Sequence, residues 1–309
     1  MKVHQFAIDF IRLRPLAFVL SGLLILISLV GFGVRGLNLG LDFTGGTLLE
    51  VSFPGPVALD EVRSTLAETG FSRASVVHYG SEHEVLIRLS SAETPATVQR
   101  IVAALSAHEH GGVTLRRTEL AGPQMGDEMV GQALLAVMAS FLMIMVYVST
   151  RFQWKLSVGA VAALMHDVVI TMGAFAVFGW EVDLTVLAAV LALIGYSIND
   201  TIVVYDRIRE NVRKMRRADM DTLANTLLNQ TLDRTLITSG VTLLSVLALL
   251  FFGGETLRGF AAALTIGIVI GTYSSIFIAT SLALTLGVGR ADLLPQSSEQ
   301  GDGATQETP

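Results

Sequence analysis

Long apolar runs separated by short charged segments follow one another along most of the chain. The first run, residues 16–34, lies between arginines, and five further runs begin after residue 130. A helix that crosses the hydrocarbon core of a bilayer needs about 20 mostly apolar residues. The further runs are residues 131–149, 156–178, 184–205, 235–252 and 259–286. The pattern therefore predicts a polytopic α-helical membrane protein with six transmembrane helices, one followed by five.

A polar insert, residues 36–130, separates the first apolar run from the others. Its strand-like segments alternate apolar and polar residues, and its helical segments place apolar residues three and four positions apart. In chain order they are strand 47–53, helix 57–69, strands 74–79 and 84–89, helix 94–107 and strand 113–120. The order β-α-β-β-α-β predicts an α+β domain of the ferredoxin-like, split-βαβ kind.

Basic residues are concentrated in alternate loops, and this predicts the orientation of the chain. The loop at 206–234 has seven basic and five acidic side chains, a net +2, whereas the insert has twelve acidic and six basic, a net −6. Lysine and arginine favour the cytoplasmic side of a membrane, so the insert is predicted to be external and both termini cytoplasmic. The predicted parts are the N-terminus with the first helix (1–35), the external domain (36–130), helices two to six (131–290) and a disordered cytoplasmic tail (291–309).

Composition agrees with a membrane protein and excludes several kinds of chemistry. Of the 309 residues, 51% are hydrophobic and 16% charged, whereas a soluble domain has about 25% charged residues. The sequence has no cysteine, which excludes disulfides, cysteine-ligated zinc, iron–sulfur clusters and thiol catalysis. It also contains no recognisable metal-ligand cluster, nucleophile elbow or dinucleotide fingerprint, and the acidic insert disfavours a nucleic-acid partner.

Two carboxylic acids are predicted to lie at membrane depth, where an ionisable side chain costs at least a few kcal/mol. Asp167 follows His166 halfway along the third run, and Asp200 follows Asn199 near the end of the fourth. Asp167 is either a proton relay or switch, or a structural group that bonds serine or threonine across a helix interface. The structural interpretation is stronger for Asp200, which lies nearer the interface. His166 is expected to support its neighbour, because adjacent helical residues point about 100° apart.

Other polar residues are candidates for supporting roles. Asp206 and Arg207 follow the fourth run, either as a snorkelling anchor at the cytoplasmic surface or as partners of a cytoplasmic element that moves. Hydroxyl side chains recur three and four residues apart in the fifth run, and such a stripe is expected to face the helix bundle and not lipid. The stripe consists of Thr235, Thr238, Thr242 and Ser245.

A glycine-rich segment, residues 40–46, joins the first helix to the insert and contains Asp42, Gly45 and Gly46. It does not match a phosphate-binding loop, because no Lys-Ser/Thr follows and no helix is expected to start there. The segment is therefore predicted to be a tight linker between the membrane and the insert.

Five sequence motifs follow one another in a fixed order. They are GLDFTGGT (40–47), HDVVIT (166–171), EVDLTVLAAVLALIGYSINDTIVVYDRIREN (181–211), RTLITS (234–239) and FFGGETLRGFAAALTIGIVIGTYSSIFIA (251–279). Their combination is highly specific and resembles the SecF subunits of the SecD/SecF family, part of the bacterial Sec export machinery and related to the resistance–nodulation–division transporters. Residues 54–125 and the tail match only in pattern.

The resemblance implies a function in protein export. Members of the family pair with SecD and use the proton motive force to help release unfolded preproteins, after SecA has driven them through SecYEG; YajC and YidC are further expected partners. The resemblance also implies the bacterial inner membrane, protons as the coupling ion and no other cofactor. Asp167 and Asp200 lie in the motifs that hold the family's functional intramembrane charges, and Arg207 belongs to the DRIREN motif.

Three other functions compete with export. One helix followed by five is the layout of half a pseudo-twofold transporter, which suggests a half-transporter of small molecules or lipids, although such proteins usually have much larger external domains. An aspartyl intramembrane protease needs a Gly-x-Gly-Asp site, whereas Asp200 follows Ser-Ile-Asn. A structural scaffold without proton flux differs from the motor in one respect, since it predicts that neutralising Asp167 leaves export intact.

Overall fold

Within the part of the chain that the structure describes, six helices are long and apolar enough to cross a membrane. The structure is a computed structural model that describes residues 8–72, 74–91, 93–108, 112–121, 123–212, 214–215, 219–289 and 293. The predicted tail, apart from Leu293, and Arg213, Arg216 and Arg217 of the basic loop lie outside these ranges. In chain order the elements are α1 (Phe10–Val34), β1 (Asn38–Leu39), α2 (Leu41–Thr44), β2 (Gly46–Ser52), α3 (Leu59–Glu68), β3 (Ser75–Tyr79), β4 (Ser81–Leu89), α4 (Pro95–His108), β5 (Thr114–Ala121), α5 (Pro123–Arg151), α6 (Trp154–Phe178), β6 (Glu181–Val182), α7 (Leu184–Asn211), α8 (Met220–Phe252), α9 (Gly254–Ser274), a π-helical turn (Ser275–Ala279) and α10 (Thr280–Thr285).

The spanning helices extend beyond the apolar runs that predict them. α5 begins at Pro123, and α7 and α8 continue through most of the predicted loop at 206–234, so that residues 212–219 connect them. Apolar residues are needed only where a helix contacts hydrocarbon, whereas backbone hydrogen bonds and caps sustain a helix in water. Asp219 is such a cap, because its side chain accepts a hydrogen bond from the backbone N–H of Thr222.

α6 lies at the centre of the membrane bundle and packs against α1, α5, α7 and α9. Glycines permit the closest approaches. A Cβ atom on Gly173 would collide with Ser28 of α1, and one on Gly159 would lie 3.0 Å from the carbonyl oxygen of Ala279. By contrast, α5 and α8 are little buried. In the most apolar 18-residue stretch of each helix, 0% of the residues of α5 and 17% of those of α8 are buried. The described chain therefore leaves much of the surface of α5 and α8 uncovered.

The last spanning helix contains a change of winding. α9 continues through the π-helical turn Ser275–Ala279 into α10. The apolar pattern predicts one uninterrupted helix over residues 259–286, because hydrophobicity does not report which carbonyl each N–H bonds. π-helical turns are frequent at functional sites, and this one directly follows Ser274, a residue of the site described below.

The described part of the insert is an antiparallel sheet of four strands, with α3 and α4 packed on one face. The strand order across the sheet is β3-β4-β2-β5, and the chain order of strands and helices is β-α-β-β-α-β. Leu49 pairs with Ile87 and Val51 with Val85, and these four fully buried side chains form the centre of the core under the helices.

Two short elements connect the insert to the bundle. β1 pairs in parallel with β6, so that Asn38 lies opposite Glu181 in the α6–α7 connection. The single turn α2 follows, where the carbonyl of Gly40 accepts hydrogen bonds from the N–H groups of Phe43 and Thr44. The expectation that no helix starts in this segment is therefore wrong, since one turn needs only local backbone bonds and leaves no apolar periodicity in the sequence.

Candidate functional site

Asp167 is fully buried, with 0% of its surface exposed, where α6, α7 and α9 pack together. Its Oδ2 accepts hydrogen bonds from Ser197 Oγ of α7 at 2.6 Å and from Ser274 Oγ of α9 at 2.8 Å. Its Oδ1 lies 2.9 Å from Nδ1 of His166. Both carboxyl oxygens thus have partners, as a buried polar group requires.

A glycine makes room for this carboxyl. A Cβ atom on Gly271 of α9 would lie 3.4 Å from Asp167 Oδ2 and 3.0 Å from Ser197 Oγ. A larger residue there would push against both groups of the hydrogen bond. Gly271 lies one turn before Ser274, so α9 approaches α6 and α7 closely at the level of the carboxyl.

His166 connects Asp167 to the first helix. The side chain is buried, with 6% exposed, and its Nε2 lies 3.0 Å from Ser21 Oγ of α1. Neighbouring helical positions point about 100° apart, yet the imidazole ring reaches back to the adjacent carboxyl. The spacing alone did not predict this contact. The predicted supporting role of His166 stays a prediction.

Asp200 is held more loosely than Asp167. It is 5% exposed, and Ser239 Oγ of α8 donates to its Oδ2 at 3.4 Å. Tyr196 OH in turn donates to Ser239 Oγ, also at 3.4 Å. Both distances are at the long end for hydrogen bonds. Asn199, the preceding residue, is exposed at the surface of the chain.

The predicted hydroxyl stripe of α8 does not face this chain's bundle as a whole. Thr235 is buried and Thr242 half-buried, but Thr238 and Ser245 are exposed. Thr238 and Thr242 donate to carbonyl oxygens one turn earlier in α8, each at 2.9 Å. The expectation of a bundle-facing stripe is therefore wrong for this chain by itself, because the packing of α8 turns that side of the helix outward.

Asp206 and Arg207 have different partners at the same end of α7. Asp206 forms an ion pair with Arg151 at the end of α5 at 2.9 Å, and Arg209 Nη1 donates to the Arg151 carbonyl at 3.1 Å. Arg207 pairs with Glu210 along its own helix at 2.9 Å. Exposed pairs of this kind contribute about 0–1 kcal/mol. Of the two residues, Asp206 is therefore the one that links α7 to a second element.

The glycine-rich segment contacts the start of α7. Asp42 Oδ2 accepts a hydrogen bond from the backbone N–H of Leu184 at 3.0 Å, in addition to the helix's own N-cap. Gly45 and Gly46 have φ angles of +69° and +131°, a region that glycine adopts readily and other residues do not. The glycines therefore allow the backbone path, and Asp42 connects it to the helix that contains Asp200.

We expect Asp42→Ala to lower the free energy of unfolding of the chain by about 1 kcal/mol, the usual loss when an acceptor at a helix N-terminus is removed. Denaturant unfolding of the purified protein in detergent measures it. Asp60→Ala is the control, because among the described residues Asp60 pairs with Arg63 alone and its side chain is 93% exposed. Its effect is expected within about 0.5 kcal/mol. Equal losses in both variants would contradict this function of Asp42.

The structure brings some predicted residues together and separates others. His166 and Asp167 share one hydrogen-bond network, which Ser197 joins to the helix of Asp200. Asp42 and Asp206 lie near opposite ends of α7. At a rise of 1.5 Å per residue they are about 30 Å apart, so only the first group forms a single site.

The serines that surround both carboxyls were not identified from the sequence. Ser197, Ser239 and Ser274 come from three different helices. The one signal that selects them is a serine inside an otherwise apolar run, since polar side chains in spanning helices usually bond another helix. That signal does not say which carboxyl each serine reaches, and Ser197 bonds Asp167 although it stands in the motif of Asp200.

Two family models match the chain. The model of the SecD/SecF protein export membrane proteins, C-terminal part, matches residues 101–289, and that of the SecD/SecF GG motif matches residues 30–55. A protein translocase subunit SecF from Vibrio alginolyticus is 46% identical over 98% of this chain and 97% of its own length. One from Escherichia coli O157:H7 is 44% identical over 96% of this chain and 93% of its own length.

Solved structures are similar as well. The crystal structure of SecDF, a translocon-associated membrane protein from Thermus thermophilus, matches with a TM-score of 0.84 at 35% identity. A super-membrane-facing form of SecDF matches with a TM-score of 0.71 at 35% identity. Both similarities cover 93% of this chain but only 39% of the SecDF chain. The chain thus spans about two-fifths of the length of these solved proteins.

Proposed function

The chain belongs to the SecD/SecF family of protein export membrane proteins, and on that premise we propose that it is the SecF-type half of a motor driven by the proton motive force. Its accessory role in Sec protein export follows from the SecF relatives that it matches over nearly its full length. The step assigned to the motor is the late translocation and release of preproteins, after SecA and SecYEG have acted. These relatives do not favour a half-transporter of small molecules or lipids.

The observation that carries the proposal is the fully buried carboxyl of Asp167. Its partners Ser197 and Ser274 belong to two other helices, so a change in its protonation alters contacts between helices. One charge that crosses a potential of 100 mV releases about 2.3 kcal/mol. A few protons per cycle are therefore enough to bias a rearrangement of the bundle against thermal motion.

A SecD-type partner is proposed to cover polar groups at the surface of this chain. Thr238 and Ser245 of α8 and Asn199 of α7 are exposed within two of the apolar spans. Polar side chains at membrane depth usually face protein and not lipid. The similarity to SecDF chains, which are more than twice as long as the matched part, supports a second half beside this one.

We propose that the chain lies in the bacterial inner membrane with both termini in the cytoplasm and the insert outside. The excess of basic residues in the 206–234 loop supports this orientation. The insert is proposed to be a ferredoxin-like domain, which its antiparallel strand order and its two helices on one face support. It is also the part proposed to contact unfolded preprotein, with YajC and YidC as further partners of the complex.

No enzymatic activity and no cofactor other than the coupling proton are part of this proposal. In aspartyl proteases two carboxyls share one site. Asp167 and Asp200 bond separate serines, and no hydrogen bond joins the two carboxyls among the described residues. This arrangement suits two groups that change charge separately better than it suits a catalytic dyad.

Release of a late-stage preprotein into the lumen of inverted membrane vesicles tests the function. The vesicles contain the chain with its SecD-type partner and SecYEG, and SecA and ATP are kept constant. We expect the chain to accelerate release when a proton gradient is present and to have no effect after a protonophore collapses it. Equal acceleration under both conditions would favour the scaffold and exclude the motor.

Asp200→Asn is expected to lower gradient-driven release several-fold in the same assay. The buried carboxyl is held by one long bond to Ser239, and the neighbouring residue Asn199 is exposed on the surface proposed to face the partner. Asp60→Asn in the insert is the control and is expected to keep the wild-type rate, because its side chain is 93% exposed. A normal rate in Asp200→Asn would remove Asp200 from the coupling site.

A further inference from the structure

A chain of hydrogen bonds runs from Asp167 across the bundle to the backbone of α1. Asp167 Oδ1 lies 2.9 Å from His166 Nδ1, and His166 Nε2 lies 3.0 Å from Ser21 Oγ. Ser21 Oγ lies 3.0 Å from the hydroxyl of Tyr273, which donates to the carbonyl of Ala17 at 2.7 Å. This chain of hydrogen bonds thus joins α6, α1 and α9. Two of its groups, Ser21 and Tyr273, have no function assigned so far.

The direction of each bond follows from the number of hydrogens available. Tyr273 has one hydroxyl hydrogen and donates it to the Ala17 carbonyl, so it can only accept from Ser21. Ser21 then uses its own hydrogen on Tyr273 and must accept from His166. His166 Nε2 is therefore the nitrogen that bears a hydrogen, an assignment made from the network of partners.

The hydrogen positions at the Asp167 end of this chain of hydrogen bonds follow in the same way. Ser197 and Ser274 both donate to Oδ2 of Asp167, so Oδ2 acts as an acceptor. Between Oδ1 and His166 Nδ1 there is then a place for one hydrogen. It belongs either to a neutral carboxyl that faces a neutral imidazole or to an imidazolium that faces a carboxylate. In both cases the two side chains together hold one removable proton.

We propose that His166 and Asp167 hold the coupling proton as a pair, and that Ser21 and Tyr273 are positioning residues that keep the imidazole hydrogen on Nε2. The inference rests on the proposed function and deepens it. When the proton leaves to water, a negative charge stays on Asp167, and lone pairs of Nδ1 and Oδ1 face each other at 2.9 Å. Two acceptors repel at that distance, so loss of the proton separates His166 from Asp167.

This separation acts on the contact between α6 and α1. His166 is the side chain of α6 that bonds Ser21. Along the chain, α1 is followed by β1 and α2, with which the insert begins. The pair is therefore placed where one proton can change the packing of the helix that precedes the insert. If the pair were only a structural hydrogen bond that does not titrate, the contact between α6 and α1 would be the same at every pH.

Few charged groups face the pair from the neighbouring helices. Ser21 faces it from α1, Ser197 from α7, and Tyr273 and Ser274 from α9. Asp200 lies about one turn after Ser197 in α7, and its carboxyl bonds Ser239. The sequence of α5 between residues 129 and 150 and that of α1 between residues 15 and 34 contain no Asp, Glu, Lys, Arg or His. Asp200 is thus the one nearby acid among these described helix segments.

The variants Tyr273→Phe and Ser21→Ala test the positioning. Without the Tyr273 hydroxyl, Ser21 can donate to Nε2, and the imidazole hydrogen moves to Nδ1. A neutral His166 then donates to the Asp167 carboxylate, so the deprotonated pair keeps its hydrogen bond and binds the proton less tightly. In vesicles that contain the complex, we expect the midpoint of the pH dependence of gradient-driven release to lie about one pH unit lower, a tenfold weaker proton binding.

Two control variants make the same substitutions at a serine and a tyrosine that lie outside the hydrogen bonds of His166, Ser21 and Tyr273. Ser28 is buried in α1 and donates only to the Leu24 carbonyl at 2.9 Å, and buried Tyr205 donates to the Ala279 carbonyl at 3.2 Å. Ser28→Ala and Tyr205→Phe are expected to keep the wild-type midpoint. A wild-type midpoint in both test variants, with gradient dependence retained, overturns the inference and leaves the proposed function standing.

A spectroscopic measurement separates the two proposals if gradient dependence is absent altogether. The ¹⁵N NMR spectrum of histidine-labelled protein in lipid reports which ring nitrogen bears hydrogen, and His166→Gln identifies the signal. We expect Nε2 to be protonated in the wild type at every pH and unprotonated in Tyr273→Phe at high pH. An unprotonated Nε2 in the wild type would overturn the inference whatever the release assay shows.

Discussion

Asp167→Asn is expected to reduce gradient-driven preprotein release to the level that the wild type shows after its gradient is collapsed. The amide has the shape of the carboxyl, and its oxygen can still accept the hydrogen bonds of Ser197 and Ser274, which lie 2.6 and 2.8 Å from Oδ2. The amide cannot take up or release a proton, so the site loses its change of charge while the packing is kept. Release into the lumen of inverted vesicles, with and without a protonophore, measures the effect.

Asp60→Asn is the matched control for this experiment. Asp60 lies on the surface of the insert with its side chain 93% exposed, and its neutralisation should leave the gradient-driven rate unchanged. Two results would count against the proposal for Asp167. One is full gradient-driven release in Asp167→Asn, and the other is loss of the variant protein from the membrane, which would make Asp167 a structural group.

The other large effect is expected from Gly46→Ala, at the start of β2. Gly46 has a φ angle of +131°, and an added Cβ atom would collide with the carbonyl oxygen of Leu89 in β4. Backbone strain and a collision in a packed region each cost about 1–3 kcal/mol. We therefore expect the free energy of unfolding of the insert to fall by about 2–6 kcal/mol, much of the stability of a small domain.

Limited proteolysis of the full chain in membranes measures this destabilisation as an increased rate of cleavage within the insert. Gly55→Ala is the control, because a Cβ atom at Gly55 would meet nothing within 4 Å. Its effect is expected within about 0.5 kcal/mol. Equal resistance of the two variants to proteolysis would mean that the backbone at position 46 accommodates an added Cβ atom. The presence of glycine at this position of the GLDFTGGT motif would then need another explanation.

The six membrane spans could be predicted because apolar length is a local property of the chain. Each run of apolar residues corresponds to a helix of the structure. The helix ends could not be predicted in the same way. α8 starts at Met220, well before its apolar part, because Asp219 caps a polar stretch that is helical in water. The turn α2 was missed for a related reason, since its bonds involve only neighbouring backbone groups.

The candidate site was predicted in part. Asp167 and Asp200 could be selected because an acid within an apolar run is costly and therefore conspicuous. Their partners could not be selected, since Ser274 lies 107 residues from Asp167 and Ser21 lies 145 residues from His166. The orientation of the α8 stripe was wrong for the same reason. A one-sided pattern predicts that a face is covered but does not say whether the same chain covers it.

The sequence alone predicts six apolar spans, an insert between the first and the second of them, and two acids within the apolar runs. These features depend on the transfer of short segments from water to hydrocarbon, which each segment undergoes regardless of the others. The packing of the helices, in contrast, turns His166 toward Asp167, brings Ser197 into hydrogen-bond distance of Asp167 and leaves Thr238 facing outward. Those features depend on distances of about 3 Å between helices that are remote in sequence, and no local pattern determines such distances.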